Sequence, residues 1–140
     1  MVKIIDMQQM RYINLFSKIS GVEPSSSFMY CGQLVFLVPF KLVSKAIGRD
    51  AINAKKLGNI VGKKIKVIAQ PDKTNESQVV KFVEDLTEPV EITKIEIKDS
   101  DLIISASRMS KANLIGRNRI KEKQLNKILK DILDMNLRFI

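Results

Sequence analysis

The stretch AIGRDAINAKKL, residues 46–57, returns in altered form as LIGRNRIKEKQL, residues 114–125. Both copies contain Ile-Gly-Arg, followed by Asp or Asn and then by a sequence that favours a helix. Four further positions match at the same offset of 68 residues: Ile52 with Ile120, Lys55 with Lys123, Leu57 with Leu125, and Ile60 with Ile128. The constant offset predicts that two similar halves, residues 1–70 and 71–140, make up the chain.

The first half alternates between the hydrophobic patterns of helices and of strands. Apolar residues from Tyr12 to Ile19 follow the i, i+3, i+4, i+7 spacing of a helix with one buried face. The run LVFLVP is continuously apolar, as expected of a strand that is buried on both faces. The predicted elements are a helix over 4–19, strands over 25–31 and 34–39, helices over 40–47 and 51–61, and a strand over 64–69.

The second half repeats this order after a polar linker, residues 70–77. The predicted elements are a helix around 79–86, strands over 90–98 and 101–107, helices over 109–115 and 119–133, and a final strand in NLRFI, residues 136–140. The apolar phase slips between Ile92 and Ile95, which predicts a bulge in the strand or an early end to it. The predicted fold class is α+β, with a three-stranded sheet covered by helices in each half.

Histidine is absent, and Cys31 is the single cysteine. A zinc site made of Cys and His, a Cys–His pair and a Ser–His pair are therefore excluded. The phosphate-binding pattern GxxxxGK followed by Ser or Thr is missing, since residues 58–63 read GNIVGK. We expect that the protein is not an enzyme and has no metal and no cofactor. Because Cys31 has apolar neighbours, we expect it to pack in the core.

The chain shows no sign of a membrane segment. Its first residues, Met1–Ile4, lack the apolar run of a signal peptide. The most apolar stretch, residues 34–40, is too short to span a bilayer. These features predict a cytoplasmic protein without a membrane contact.

Basic charge is concentrated around both copies of the repeated stretch. Residues 40–66 contain eight basic residues and one acidic residue, and residues 102–130 contain the same numbers, so that each segment has a net charge of +7. Residues 72–101, between them, have a net charge of −5. Solvated helix faces would explain this pattern, and two surfaces that bind a polyanion would also explain it.

The order of elements, with Ile47-Gly48-Arg49-Asp50-Ala51 and Ile115-Gly116-Arg117-Asn118-Arg119 at the helix–helix turns, resembles two tandem KH domains of the prokaryotic type (type II). Two such domains that make up nearly the whole chain resemble the archaeal NusA family of transcription elongation and termination factors. The resemblance implies single-stranded RNA as the partner, because the GxxG loop of KH domains clamps the backbone of about four nucleotides. It also implies that RNA polymerase or a transcription complex is a further partner. We expect a monomer.

By this resemblance, the RNA-binding residues are Lys45, Ile47, Gly48, Arg49, Asp50, Ala51, Lys55, Lys111, Ile115, Gly116, Arg117, Asn118, Arg119, Lys121 and Lys123. The apolar groove for the bases would be lined by Ile47, Ile52, Ile115 and Ile120, and by strand residues such as Val67 or Phe139. Aromatic residues make up only 6% of the chain, which argues against recognition mainly by stacking.

The sequence departs from the family pattern at the second glycine, which is replaced by Ala51 in one copy and Arg119 in the other. Both residues fit if their positions are already helical with a negative φ. Asp50 and Asn118 are good helix N-caps, and a cap would take the N–H groups that a phosphate needs. Each turn is therefore either an RNA contact or merely a capped corner. Neutral Asn118 and basic Arg119 make the second copy the stronger candidate.

The function expected from charge, topology and resemblance is single-stranded RNA binding in transcription. The alternative is a degenerate KH pair that acts as a protein-interaction scaffold on RNA polymerase or a ribosomal particle. Replacing Gly48 or Gly116 by Asp is expected to weaken RNA binding and to leave stability nearly unchanged, because both turns are expected at the surface.

Overall fold

The computed structural model describes residues 7–140, which form an α+β protein with two three-stranded mixed sheets and six α-helices within those residues. The elements of the first half are α1 (Met7–Ser20), β1 (Ser26–Tyr30), β2 (Gln33–Val38), α2 (Val43–Ile47), α3 (Ile52–Val61) and β3 (Lys64–Ala69). The elements of the second half are α4 (Glu76–Thr87), β4 (Lys94–Lys98), β5 (Asp101–Ser105), α5 (Arg108–Ile115), α6 (Ile120–Leu133) and β6 (Asn136–Phe139). Residues 4–6 of the first predicted helix lie outside the described residues.

The chain divides between Gln70 and Pro71 into two compact units. In each unit the middle strand in sequence is also the middle strand of the sheet, paired antiparallel with the strand before it and parallel with the last strand. Between the two parallel strands the chain runs through two helices that meet at the repeated turn. The order predicted from the sequence is therefore confirmed for both halves within residues 7–140.

The core of the first unit forms where alternate residues of β2 meet the helices. Phe36 and Leu57 are fully buried in one apolar cluster with Phe16 of α1. The rings of Phe16 and Phe36 stack with centroids 4.3 Å apart. Every residue from Leu34 to Val38 is at most 1% exposed, as expected from the continuous apolar run.

The prediction for Cys31 was wrong, because this residue is exposed. Tyr30 pairs with Gln33, so that Cys31 and Gly32 form a two-residue hairpin turn between β1 and β2. Both turn residues have a positive φ, 51° for Cys31 and 76° for Gly32, as a tight turn between twisted strands requires. The apolar neighbours of Cys31 belong to the strands, and the turn itself projects from the sheet.

Two boundaries in the second unit differ from the prediction because polar side chains begin helices there. Asn75 is the N-cap of α4, and its side chain accepts a hydrogen bond from the Gln78 N–H. Ser107 caps α5 in the same way by accepting from the Ser110 N–H, and therefore β5 ends at Ser105. The slip in the apolar pattern between Ile92 and Ile95 corresponds to a late start of β4. The strand begins at Lys94, and Ile92 lies in the segment that precedes it.

No helix within residues 7–140 has the length and apolar character needed to cross a membrane.

Candidate nucleic-acid interface

The first copy of the repeat forms a left-handed turn between α2 and α3. The Gly48 N–H closes α2 with a hydrogen bond of 3.0 Å to the Ser44 carbonyl oxygen. Asp50 (φ 54°, ψ 30°) and Ala51 (φ 59°, ψ 31°) then both adopt left-handed backbone angles. The Ile52 N–H donates to the carbonyl oxygen of Arg49. Two left-handed residues enclosed by such a bond form a type I′ β-turn.

The second copy reproduces this turn closely. Asn118 (φ 55°, ψ 25°) and Arg119 (φ 62°, ψ 21°) are the two left-handed residues, and the Ile120 N–H donates to the Arg117 carbonyl oxygen. The glycines that precede the turns also agree, with φ 82° and ψ 170° at Gly48 and φ 74° and ψ 176° at Gly116. The repeated sequence therefore encodes a repeated backbone conformation.

The expectation that Ala51 and Arg119 have a helical, negative φ was wrong. Both occupy the second left-handed position, where glycine is the usual residue because a Cβ atom there clashes with the backbone. A left-handed conformation costs a residue with a Cβ atom about 1–2 kcal/mol. Each of these positions thus has the backbone conformation typical of glycine while holding another residue.

The expectation that Asp50 and Asn118 are helix N-caps was also wrong. α3 begins at Ile52 and α6 at Ile120, and neither helix has a side-chain cap on the residue before it. Asp50 and Asn118 lie one position earlier, in the turn, where Asp and Asn are favoured because they tolerate a positive φ. The first N–H of each helix, at Ile52 and Ile120, bonds within the turn. No side-chain cap takes the N–H groups that follow in the first turn of α3 or α6, and these are able to bind an anion.

The left-handed conformation of Ala51 leads to a prediction about stability. Replacing Ala51 by Gly removes the strain of the Cβ atom and retains the turn, so that we expect a gain of about 0.5–1 kcal/mol in the free energy of unfolding after the entropy of the unfolded glycine is counted. Urea unfolding followed by circular dichroism measures this gain. Gly58→Ala, the reverse exchange at a helical position, is the comparison. A loss of stability in Ala51→Gly would contradict the left-handed assignment.

The predicted basic residues around the two turns are mostly exposed. Those on the surface are Lys45, Arg49, Lys55, Arg117, Arg119, Lys121 and Lys123. Lys111 is half-buried, and its ammonium donates to the carbonyl oxygen of Ile140 at 2.6 Å. The Arg119 Nε lies 3.3 Å from a carboxylate oxygen of Glu122. The side chains of Lys111 and Arg119 therefore already interact with other groups of the protein.

An apolar side chain is exposed directly after each turn. Ile52 is 60% exposed and its equivalent, Ile120, is 62% exposed. Ile47 and Ile115, before the turns, are half-buried. Val67 packs against the core of the first unit, and Phe139 is half-buried. The exposed isoleucines have the same position relative to both turns.

A groove of about 630 Å³ lies beside the first turn, between α3 and the start of β3. Its apolar lining includes Ala54, Gly58 and Ile65, and Ala51 joins it to the turn. Its lysines are Lys55, Lys63 and Lys64. Of the predicted RNA-binding residues, Ala51 and Lys55 line this groove.

Sequence reasoning missed most of this groove, although α3 contained a signal for it. Ala51, Ala54 and Gly58 are small residues at i, i+3 and i+7, a spacing that places them on one side of a helix. A side of small residues lets the strand approach the helix closely and leaves no large side chain to fill the groove along their surface. A Cβ atom at Gly58 would lie 3.0 Å from the Lys63 carbonyl oxygen and 3.6 Å from Ile65 Cγ1, which shows how closely helix and strand approach.

Comparison with known proteins identifies the fold and nothing finer. No protein-family model matches the chain, and no curated protein matches it. The crystal structure of APE1850 is similar to it, with a TM-score of 0.63 and 24% sequence identity over 97% of this chain and 100% of that one. The likeness therefore extends over nearly the whole chain, and at this identity it concerns the fold alone.

Proposed function

We propose that this protein is a tandem KH-domain protein that binds single-stranded RNA. The observation that carries the proposal is the duplicated turn: a glycine without room for a side chain, an exposed arginine, two left-handed residues and an uncapped helix start, twice in one chain. A helix–helix corner needs a turn, but it does not need an exposed arginine and an uncapped helix start at the same place.

The backbone at each turn suits a phosphate group. A Cβ atom built on Gly48 would lie 2.8 Å from Asn53 Nδ2, and one on Gly116 would lie 2.8 Å from Lys121 Cγ. Because these glycines have no side chain, the turn can pack closely against the start of the helix that follows it. The helix that follows presents N–H groups and the positive end of its dipole, which favour an anion. Arg49 and Arg117 add charge-assisted hydrogen bonds to phosphate oxygens.

The groove beside the first turn suits a nucleobase. Its volume lies within the roughly 300–1,000 Å³ of typical ligand sites. Apolar residues line it, and lysines beside it favour a polyanionic backbone. A base can enter only when it is unpaired, since base edges in a duplex are stacked and paired. The ligand proposed is therefore single-stranded.

The cellular role proposed is that of a NusA-like factor that acts on nascent RNA in transcription elongation or termination. This part rests on the resemblance of the repeated turn and of the element order to archaeal NusA proteins, and it is an analogy at the level of the fold. RNA polymerase is the further partner that the analogy implies.

A titration of labelled single-stranded RNA tests the proposal. We expect fluorescence anisotropy to show binding that weakens with salt, with a log–log slope of about −0.7 for each phosphate that is neutralised. Duplex RNA of the same length should compete poorly, because its bases cannot enter the groove. Absence of binding at low salt, or a slope near zero, would contradict the proposal.

The exposed apolar residues favour a second candidate, a protein-interaction scaffold. Phe40, shortly before α2, and Met109, in the first turn of α5, are each 76% exposed. Phe40 lies before α2 and Met109 lies at the start of α5, the two helices that lead into the turns, so that a protein partner would contact similar places in both units. This candidate predicts a partner whose binding is lost in Phe40→Ser and kept in Arg49→Glu.

A further inference from the structure

The two units differ at the place where the first unit has its groove. The parallel strand pairs fix which residues of the two units are equivalent: Ile65 pairs with Leu34 in the first unit, and Leu137 pairs with Leu102 in the second. Leu34 and Leu102 are 68 residues apart, the offset of the repeat. On the helix, the same offset makes Asn126 of α6 the equivalent of Gly58 of α3.

In the second unit, the side chain of Asn126 occupies the place that the equivalent residue, Gly58, leaves open in the first unit. Its side-chain oxygen accepts a hydrogen bond of 2.9 Å from the Leu137 N–H. The bond ties α6 to the outer edge of β6, which is an edge strand of its sheet. In the first unit the equivalent strand residue, Ile65, lies opposite a glycine that has no side chain to accept such a bond.

Glu122 fills the second position on the same side of the helix. It is the equivalent of Ala54, which lines the groove of the first unit. The Glu122 carboxylate is held 3.3 Å from Arg119 Nε, and its side chain is 22% exposed. A small apolar residue is thus replaced by an acidic side chain that repels a phosphate and takes up space.

Resting on the proposed function, we infer that base recognition is confined to the first unit. The groove between α3 and β3 seats an unpaired nucleobase, whereas Asn126 and Glu122 close the equivalent place between α6 and β6. The second unit then holds RNA through its turn, by phosphate contacts that are independent of base identity. This reverses the preference for the second copy that neutral Asn118 and basic Arg119 suggested.

Two kinds of variant test this inference, one that closes the groove of the first unit and one that opens the equivalent place of the second. The binding of two RNA probes is measured for each variant. One probe is labelled oligouridylate, and the other is the same ribose-phosphate backbone without bases. Wild type should bind oligouridylate more tightly, and Gly58→Asn should lower that affinity about tenfold, the equivalent of about 1.4 kcal/mol. Gly58→Asn should leave the affinity for the abasic strand unchanged. Asn126→Ala should leave both affinities within about twofold, or about 0.4 kcal/mol.

Matched variants separate closure of the groove from damage to the fold. Gly58→Ala introduces the same Cβ atom beside the Lys63 carbonyl oxygen without the bridging amide, so that a loss of folding stability shared by Gly58→Ala and Gly58→Asn comes from that Cβ atom and not from closure of the groove. Ala54→Glu closes the same groove from the neighbouring helical turn and should abolish that preference even if Gly58→Asn does not fold. Its added negative charge lowers the affinity for both probes, so that the ratio of the two affinities is the readout.

The outcomes distinguish failure of this inference from failure of the proposed function. If wild type bound both probes with equal affinity, the claim of base recognition would be overturned, whereas RNA binding through charge would still hold. A preference for oligouridylate that survives both Gly58→Asn and Ala54→Glu, or that is lost in Asn126→Ala, would place the base elsewhere and overturn the inference. Absence of binding to either probe would overturn the proposed function itself.

Discussion

Reversing the charge of one arginine in each turn is expected to lower the affinity for single-stranded RNA about 100-fold. The change is Arg49→Glu together with Arg117→Glu. Each lost charge-assisted contact to phosphate removes about 1.4 kcal/mol or more, and each tenfold change in affinity corresponds to about 1.4 kcal/mol. Both side chains are exposed, and neither forms an ion pair with another residue of the described range 7–140, so that the fold should be unaffected.

The measurement is fluorescence anisotropy at several salt concentrations. The magnitude of the log–log salt slope should fall by about 0.7 for each phosphate contact that is lost. A matched control, Arg11→Glu with Lys18→Glu, makes the same change in net charge at exposed positions of α1, a helix that contributes no residue to either turn. If the control weakened RNA binding as much as the turn variant, the loss of affinity would be explained by overall charge, and specific contacts at the turns would be contradicted.

Replacing either turn glycine by Asp is expected to destabilise its unit by about 1–3 kcal/mol, the cost of a backbone conformation that is essentially restricted to glycine. Gly48 has φ 82° and ψ 170°, and a Cβ atom there would lie 2.8 Å from Asn53 Nδ2 and 3.0 Å from Ile52 Cγ2. The expectation from sequence, that stability hardly changes, considered surface exposure and not the backbone angles. Weaker RNA binding by these variants would therefore not prove that the turn touches RNA.

Urea unfolding of Gly48→Asp and Gly116→Asp measures this loss. Gly62→Asp is the matched control, because Gly62 has φ 68° and ψ 27°, a left-handed conformation that Asp tolerates, and no heavy atom lies within 4 Å of its added Cβ. The control should lose clearly less stability than the turn variants. Equal losses at the three positions would contradict the special geometry of Gly48 and Gly116.

The order of elements was predictable because hydrophobic period and turn residues act locally. The buried run from Leu34 to Val38 and the helical spacing between Tyr12 and Ile19 both give patterns that one stretch of sequence contains. The helix boundaries set by Asn75 and Ser107 follow from the same local chemistry, and only the choice among several polar residues was ambiguous.

The candidate site was less predictable because its properties depend on backbone angles and on contacts between elements. Ala51 and Arg119 have side chains compatible with a helix start, and only the structure places them in the left-handed region. The closure by Asn126 depends on the distance from α6 to Leu137, eleven residues later in the chain. Charge alone favoured the second copy, whereas the groove between α3 and β3 favours the first.

The most direct test of RNA binding at the turns is a ¹H–¹⁵N titration of the protein with single-stranded RNA. We expect the largest amide shifts at residues 48–53 and 116–121, the turns and the helix starts that follow them. In the first unit the shifts should extend to Ile65 of the groove. Amides of the acidic segment 72–101 should hardly move. Shifts confined to surfaces outside both turns, at RNA concentrations that saturate binding, would contradict the account.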